Sequence, residues 1–178
     1  AEDSMAYEEF TKNTPENTSL LQATKYTFII PDMPFLKYFC QTLSLPTVST
    51  SEVAVPTPFS TTYRHGDKLV YEGLTLTALV DEDLRIWEES YKWIRGLTRP
   101  AEYKEYLRQT IAKPATNLYF DGYLTINTNS NNPNMRIKFY NCHPTSLSGI
   151  NFDTKVDADT IPTCDITFRY DLFEIERL

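Results

Sequence analysis

Apolar and polar positions along the chain alternate in one rhythm for most of its length and switch to a second rhythm only once at any length. Over 72–80, Leu74, Leu76, Ala78 and Val80 fall on one side and Gly73, Thr75, Thr77 and Leu79 on the other, the period of a half-buried strand. Leu84, Trp87, Tyr91 and Ile94 then recur at three and four, which predicts a helix with those four as its core stripe. Ile86, Ser90, Trp93 and Leu97 widen that face. Asp81 and Asp83 stand where a cap is needed, Lys92 and Arg95 near the negative end, and Gly96 where the helix can stop.

The remaining segments read mostly as strands. Tyr26, Phe28 and Ile30 alternate, Pro31-Asp32-Met33-Pro34 turns, and 36–43 is extended, so a hairpin is expected there. Residues 46–67 are rich in Thr, Ser and Pro and end at His65-Gly66-Asp67, read as a turn. That composition predicts a long excursion or an edge hairpin, because proline cannot donate to a ladder. Thr98-Arg99-Pro100 opens a second short helix with Tyr103, Tyr106, Leu107 and Ile111 on one face. Strands are expected at 118–126 and 135–142 around an Asn-rich turn, with Arg136 and Lys138 facing water. A short extended piece follows at 150–152. The final strand places Cys164, Ile166, Phe168, Tyr170 and Leu172 inward. About seven strands with short connections predict a mainly β fold with antiparallel pairing, a β-sandwich or barrel protomer flanked by one helix. Residues 1–22 read as a flexible polar arm and 23–178 as one β domain, with no internal repeat or linker.

Composition narrows the function. A chain of 178 residues is long enough for a core without disulfides, and its net charge of -7 disfavours sequence-independent binding to phosphate backbones. Three cysteines, Cys40, Cys142 and Cys164, form no C-x-x-C and suit a reducing compartment. With Cys142-His143 they supply zinc-binding atoms but no zinc spacing, so buried or half-buried structural cysteines are the reading. The first residues lack a basic or apolar leader, and no apolar run approaches about 18 residues, so no membrane association is expected. Asn17-Thr18-Ser19 is a chance sequon without a secretory route.

Chemistry is sparse. His65-Gly66-Asp67 and Asp81-Glu82-Asp83 read as a turn and a helix start rather than a base with carboxylates, and five glycines form no phosphate loop. The twelve tyrosines and ten phenylalanines fall mostly on the apolar phase of strands, without the positive groove that stacking on nucleic acid requires. Neither an enzyme nor a cofactor is expected. What remains is a polar arm, a long excursion and strands with a second, polar face, which are parts for assembly.

The series Phe39-Cys40 with Leu45-Pro46, Val55-Pro56 with Gly66-Asp67, Asp81-Glu82 before the Trp93 helix, Pro100-Ala101-Glu102-Tyr103-Lys104, and Pro144-Thr145 before the closing strand from Thr167 to Tyr170-Asp171 resembles the tail tube protein family of contractile-tailed bacteriophages. The likeness runs from about Thr24 to Ile175 and extends to relatives that start the tube at the baseplate. The arm, the Asn-rich turn and residues 108–119 depart from the common subunit, so repeating subunit and tube initiator both fit.

The resemblance implies a homo-hexameric ring with a continuous inner β-barrel, the helix on its outer flank, and stacking of rings into a tube. DNA would pass through the lumen into the host without being bound. Tail sheath, baseplate hub or initiator, tail terminator and tape measure protein are the implied partners, and the virion, assembled in the host cytoplasm, is the implied location. The excursion is expected to reach a neighbouring subunit or ring through Val55, Pro56, Phe59, Tyr63, His65 and Asp67. Glu72, Asp121, Asp165 and Asp171 are the candidates for an acidic lumen wall that a phosphate backbone does not hold. The tube protein of a contractile secretion or injection system is the alternative.

Overall fold

Each strand has one apolar phase to hide, and in the computed structural model, which describes residues 18–99, 119–155, 157 and 159–178, those phases meet in one core. The described residues form nine strands and two helices: β1 (Tyr26–Ile29), α1 (Leu36–Phe39), β2 (Cys40–Ser44), β3 (Val48–Pro56), β4 (Thr61–Tyr71), β5 (Leu74–Leu79), α2 (Arg85–Thr98), β6 (Phe120–Asn127), β7 (Pro133–Leu147), β8 (Thr163–Arg169) and β9 (Phe173–Arg177). One sheet runs β1-β6-β7-β8-β5-β2 with β9 also on β7, and β3 and β4 make a separate two-stranded sheet. Every named strand pair is antiparallel.

The expected hairpin of β1 with the next extended run does not form. β1 pairs with β6, residues 36–39 take a single helical turn, and β2 pairs with β5 at the far end of the sheet. Coiling brings those two ends back together. The Tyr26 hydroxyl donates to the Gln41 carbonyl at 2.9 Å and lies 4.0 Å from the Cys40 sulfur, so a side chain joins the two edge strands.

β7 is the spine and is longer than its sequence suggests, because 144–147 continues the strand instead of forming a loop. Its first half carries β6 on one edge and β9 on the other, and its second half carries β8. Between the halves Asn141 adopts φ 56°. Opposite it the chain leaves β8 and re-enters as β9, with Tyr140 and the 171–172 backbone exchanging hydrogen bonds of 3.0 Å. The break shifts the phase by one residue. Cys164, Ile166, Phe168 and Tyr170 are buried as expected, but Leu172 turns outward and Phe173 packs on Phe139 in its place. Asn141 donates from its backbone to Asp121 at 3.3 Å and from its amide to Asp171 at 2.5 Å. Asn141→Val therefore places a β-branched residue in left-handed space and is expected to cost about 1–3 kcal/mol, whereas Asn141→Gly keeps the bend at a smaller loss, as denaturant melts would show.

The helix turns a different face to the sheet from the one expected. Ile86, Ser90, Trp93 and Gly96 are buried, while of Leu84, Trp87, Tyr91 and Ile94 three are half-buried and Tyr91 is 44% exposed. Small residues explain the rotation. Gly96 does not end the helix but sits in its buried face, and the Ser90 hydroxyl is satisfied by the Ile86 carbonyl at 2.8 Å, so both small residues can face the core. Trp93 stacks edge-on to Phe120 with ring centres 5.3 Å apart. Trp87 and Tyr91 stack on each other at the margin, and the Trp87 indole donates to the Ser148 carbonyl at 3.1 Å. At the helix start neither expected aspartate is the N-cap: Leu84 holds that position at φ 54°, the Asp81 carboxylate accepts the Arg85 N–H at 3.0 Å from three residues further back, and Asp83 pairs with the Arg85 guanidinium. Of the second expected helix only Thr98, which closes α2, and Arg99 lie within the described residues, and of the arm only 18–22.

The cysteines are free, with Cys142 and Cys164 in the core. Burial pushes the Cys142 thiol from an ordinary 9.0 up to about 12. Since the folded state holds its proton longer than the unfolded chain, stability is retained below about pH 9 and falls above it by about 1.4 kcal/mol per pH unit for this one thiol. Cys142→Ala is expected to flatten the loss seen in thermal melts between about pH 9 and 11, and the native thiol should resist alkylation at pH 8.

Candidate functional site

The β3–β4 hairpin has too little contact with the core to be explained by folding alone. Only its base is anchored, where Tyr71 meets Tyr170 and Phe173 at ring distances of 5.9 and 5.5 Å. The turn is at residues 57–60, closed by Thr57 N–H donating to Ser60 C=O at 2.9 Å, and not at His65-Gly66-Asp67, which lies within β4. Gly66 serves a bulge: a Cβ there would stand 1.9 Å from the Ser51 hydroxyl oxygen and 2.5 Å from its carbonyl, where the register shifts between Thr50 and Glu52. Phe59 at the tip is 100% exposed and Tyr63 is 64% exposed.

Cross-strand pairing sorts the expected interface residues onto two faces. Pro56 opposite Thr61, Ala54 opposite Tyr63 and Glu52 opposite His65 share one; Val55 opposite Thr62 and Val53 opposite Arg64 share the other. Asp67 lies at the bulge. Val48, Leu69 and Val70 nearer the base are exposed as well. A ribbon with exposed apolar side chains on both faces is suited to being covered from two sides.

The second surface is the outer face of β2, β5, β8 and the second half of β7. Inward, Leu74, Leu76, Ala78, Cys164, Ile166 and Phe168 are buried. Outward, alternation leaves mostly hydroxyls: Thr75 and Thr167 are 3.4 Å apart, Thr77 donates to Asp165 at 2.6 Å, Thr145 donates to the Thr167 carbonyl at 3.2 Å, and Ser148 accepts the Asp165 N–H at 2.8 Å. Asp165 and Arg169 are the charged side chains of these strand segments, and they cancel. Arg169 is held by the Tyr71 carbonyl at 3.2 Å. Both ends of this four-strand sheet are open: among the described residues β2 has a ladder partner on one side, and so does β7 over 143–147.

The expected acidic wall is not assembled as one surface. Of its candidates Asp165 lies on the hydroxyl face, Glu72 sits exposed at the β4–β5 connection, and Asp121 and Asp171 bracket Asn141 on the other half of the sheet. That half has a charged exterior. Tyr123, Lys138 and Glu174 form one cross-strand row and Thr125, Arg136 and Glu176 the next. Lys138 is paired with Asp121 at 3.2 Å and lies 4.3 Å from the Tyr140 ring centre, and the hydrogen bond to Asp121 raises its proton affinity. Glu174 accepts the Tyr140 hydroxyl at 2.8 Å, which raises the pKa of that phenol. The threonine row was visible in the sequence as the polar phase of β5 and β8, but choosing acids over hydroxyls concealed it.

Among the described residues no cluster of three or more His, Cys, Asp and Glu side chains is arranged to hold a metal ion, and no helix is long and apolar enough to cross a membrane.

Comparison with known proteins places this architecture. A family model described as phage tail tube protein matches residues 9–176. The tail tube terminator protein of enterobacteria phage T4 is 27% identical over 129 residues, 72% of this chain and 69% of that protein. Among solved structures, a chain of the anti-feeding prophage tube-terminating cap superposes with a TM-score of 0.58 at 13% identity, over 94% of this chain and 98% of that one. A chain of the sheath–tube complex of the extracellular contractile injection system PVC, in its extended state, gives a TM-score of 0.56 at 15% identity, over 90% and 94%. These two likenesses are of fold.

Proposed function

The chain belongs to the phage tail tube protein family, and from that premise we propose that it is a structural, non-enzymatic subunit that closes into a hexameric ring around a channel for DNA. The observation that carries this reading is the four-strand sheet with a neutral hydroxyl face and two open edges. Six copies joined edge to edge, β2 of one against β7 of the next, would continue the four-strand sheet into one barrel and leave neither of its ends unpaired. The hydroxyl face would line the lumen. A wall without net charge offers phosphates no counterion release, so DNA would slide past without being held. This replaces the expected acidic wall with a neutral one. α2 would lie behind the sheet as a buttress, and the hairpin, with its two exposed faces, would reach the lateral neighbour and the next ring. Sheath, terminator and baseplate components of a tail are the partners that fit such a ring, and the virion is where it would reside.

Its place along the tube has a second reading, favoured by the 27% identity to the T4 tail tube terminator protein. A lateral contact closes, but an axial contact between unlike faces extends without limit unless a different ring stops it. Adding the purified protein to preformed tail tubes separates the roles. A repeating subunit lengthens the tubes in proportion to the amount added. A terminator adds one ring at one end and blocks further growth by the ordinary tube subunit. Failure to join the tubes in either way would overturn the membership of this chain in the tube wall.

A further inference from the structure

Glu89 is the one carboxylate among the described residues with an oxygen that is sealed from solvent and without a hydrogen-bond partner. It lies in the first half of α2, where that helix packs on the segment following β1: Met33 is buried with its sulfur 4.0 Å from the Ser90 hydroxyl, and the Arg85 guanidinium lies 5.6 Å from the Phe35 ring centre. The charges facing Glu89 are Asp32 from the β1–α1 turn, Asp81 from the β5–α2 connection, and Arg85 and Lys92 from its own helix. Both cations are already engaged, Arg85 by Asp83 at 2.7 Å and Lys92 by Glu88 at 2.5 Å. Asp32 and Asp81 thus act on the sealed carboxylate while the two cations nearest it are held by other acids.

An ionised carboxylate in that position has lost water at its Oε2 without gaining a donor, whereas the neutral acid carries its own O–H and relieves the repulsion from Asp32 and Asp81. We propose that Glu89 is a proton-operated latch between α2 and the segment 32–35: the protonated side chain holds the helix down, and the ionised one loosens it. Burial, the first cause, and the two aspartates also push its proton affinity up, in the same direction. The sign follows. A carboxyl that binds its proton more tightly when folded contributes stability at low pH that is lost as pH rises through its folded value. The latch would therefore slacken the outer flank of the subunit as pH rises above the ordinary carboxyl range.

Hydrogen exchange of the full chain, corrected for the intrinsic pH dependence of exchange and followed by mass spectrometry from pH 4.5 to 8, tests this. Peptides covering 86–90 and 32–35 should lose about tenfold in protection across that range. Glu89→Gln, which keeps the shape and removes the charge, should hold protection at its low-pH level throughout. Asp32→Asn should move the transition to lower pH without abolishing it. Protection in 86–90 that does not change with pH in the wild type, or a Glu89→Gln profile that follows the wild type, would overturn the latch. Peptides from β6 serve as the reference, since a uniform change there would mean global rather than local opening.

Discussion

Excising residues 53–64 and rejoining Glu52 to His65 through a two-residue Asn-Gly turn yields a protein that folds and does not assemble. Glu52 and His65 are cross-strand partners, so a two-residue turn closes the shortened ribbon in register. The deleted residues are largely exposed, with Phe59 entirely so, and the core loses none of its members. Thermal stability of the monomer should therefore change by no more than about 1 kcal/mol. Assembly should fall from complete to undetectable in sedimentation velocity, because the apolar anchors on both ribbon faces are gone. Rings and tubes forming as well as those of the intact chain would mean that the hairpin's exposed faces meet nothing.

Trp93→Ala is the substitution expected to damage folding most, by about 3–5 kcal/mol in equilibrium denaturation. Trp93 is 3% exposed and touches both halves of the sheet, Phe120 on β6 and Phe168 on β8. Its removal opens a cavity between helix and sheet. The half-buried Trp87 should cost less, through loss of its hydrogen bond to Ser148 and its stack on Tyr91, and the exposed Tyr91 least of the three. Equal losses at Trp87 and Trp93 would contradict the observed phase of the helix.

That phase marks where sequence reasoning succeeds and stops. Strands β5 and β8 were legible because each alternates strictly against a single core, and Leu74, Leu76, Ala78, Cys164, Ile166 and Phe168 are all buried. The helix was recognisable, but its apolar residues span more than one stripe, and the stripe that wins contains Ser90 and Gly96, which hydrophobicity counts against. Partners of strands were harder still: β1 and β2 are neighbours in the chain and stand at opposite ends of the sheet, since pairing is decided by distant ladders. Single residues also carried ambiguous signals. Gly66 marks a bulge and not a turn, and Asn141 inserts a phase shift that sends Leu172 out and Phe173 in. Of the two candidate surfaces, the excursion was visible from its prolines, whereas the hydroxyl face was hidden because it is defined by what four separate strands bring together.

In the proposed ring, six copies close around a lumen walled by β2, β5, β8 and the second half of β7. Electron cryomicroscopy of the concentrated protein, with and without isolated baseplates as seeds, tests it most directly. Six-fold hollow rings are expected, in which Thr75, Thr77, Asp165 and Thr167 face the channel and β2 of each subunit pairs with β7 of the next. Particles that remain single subunits under both conditions, or rings whose lumen is lined by the Arg136 and Lys138 face, would contradict it.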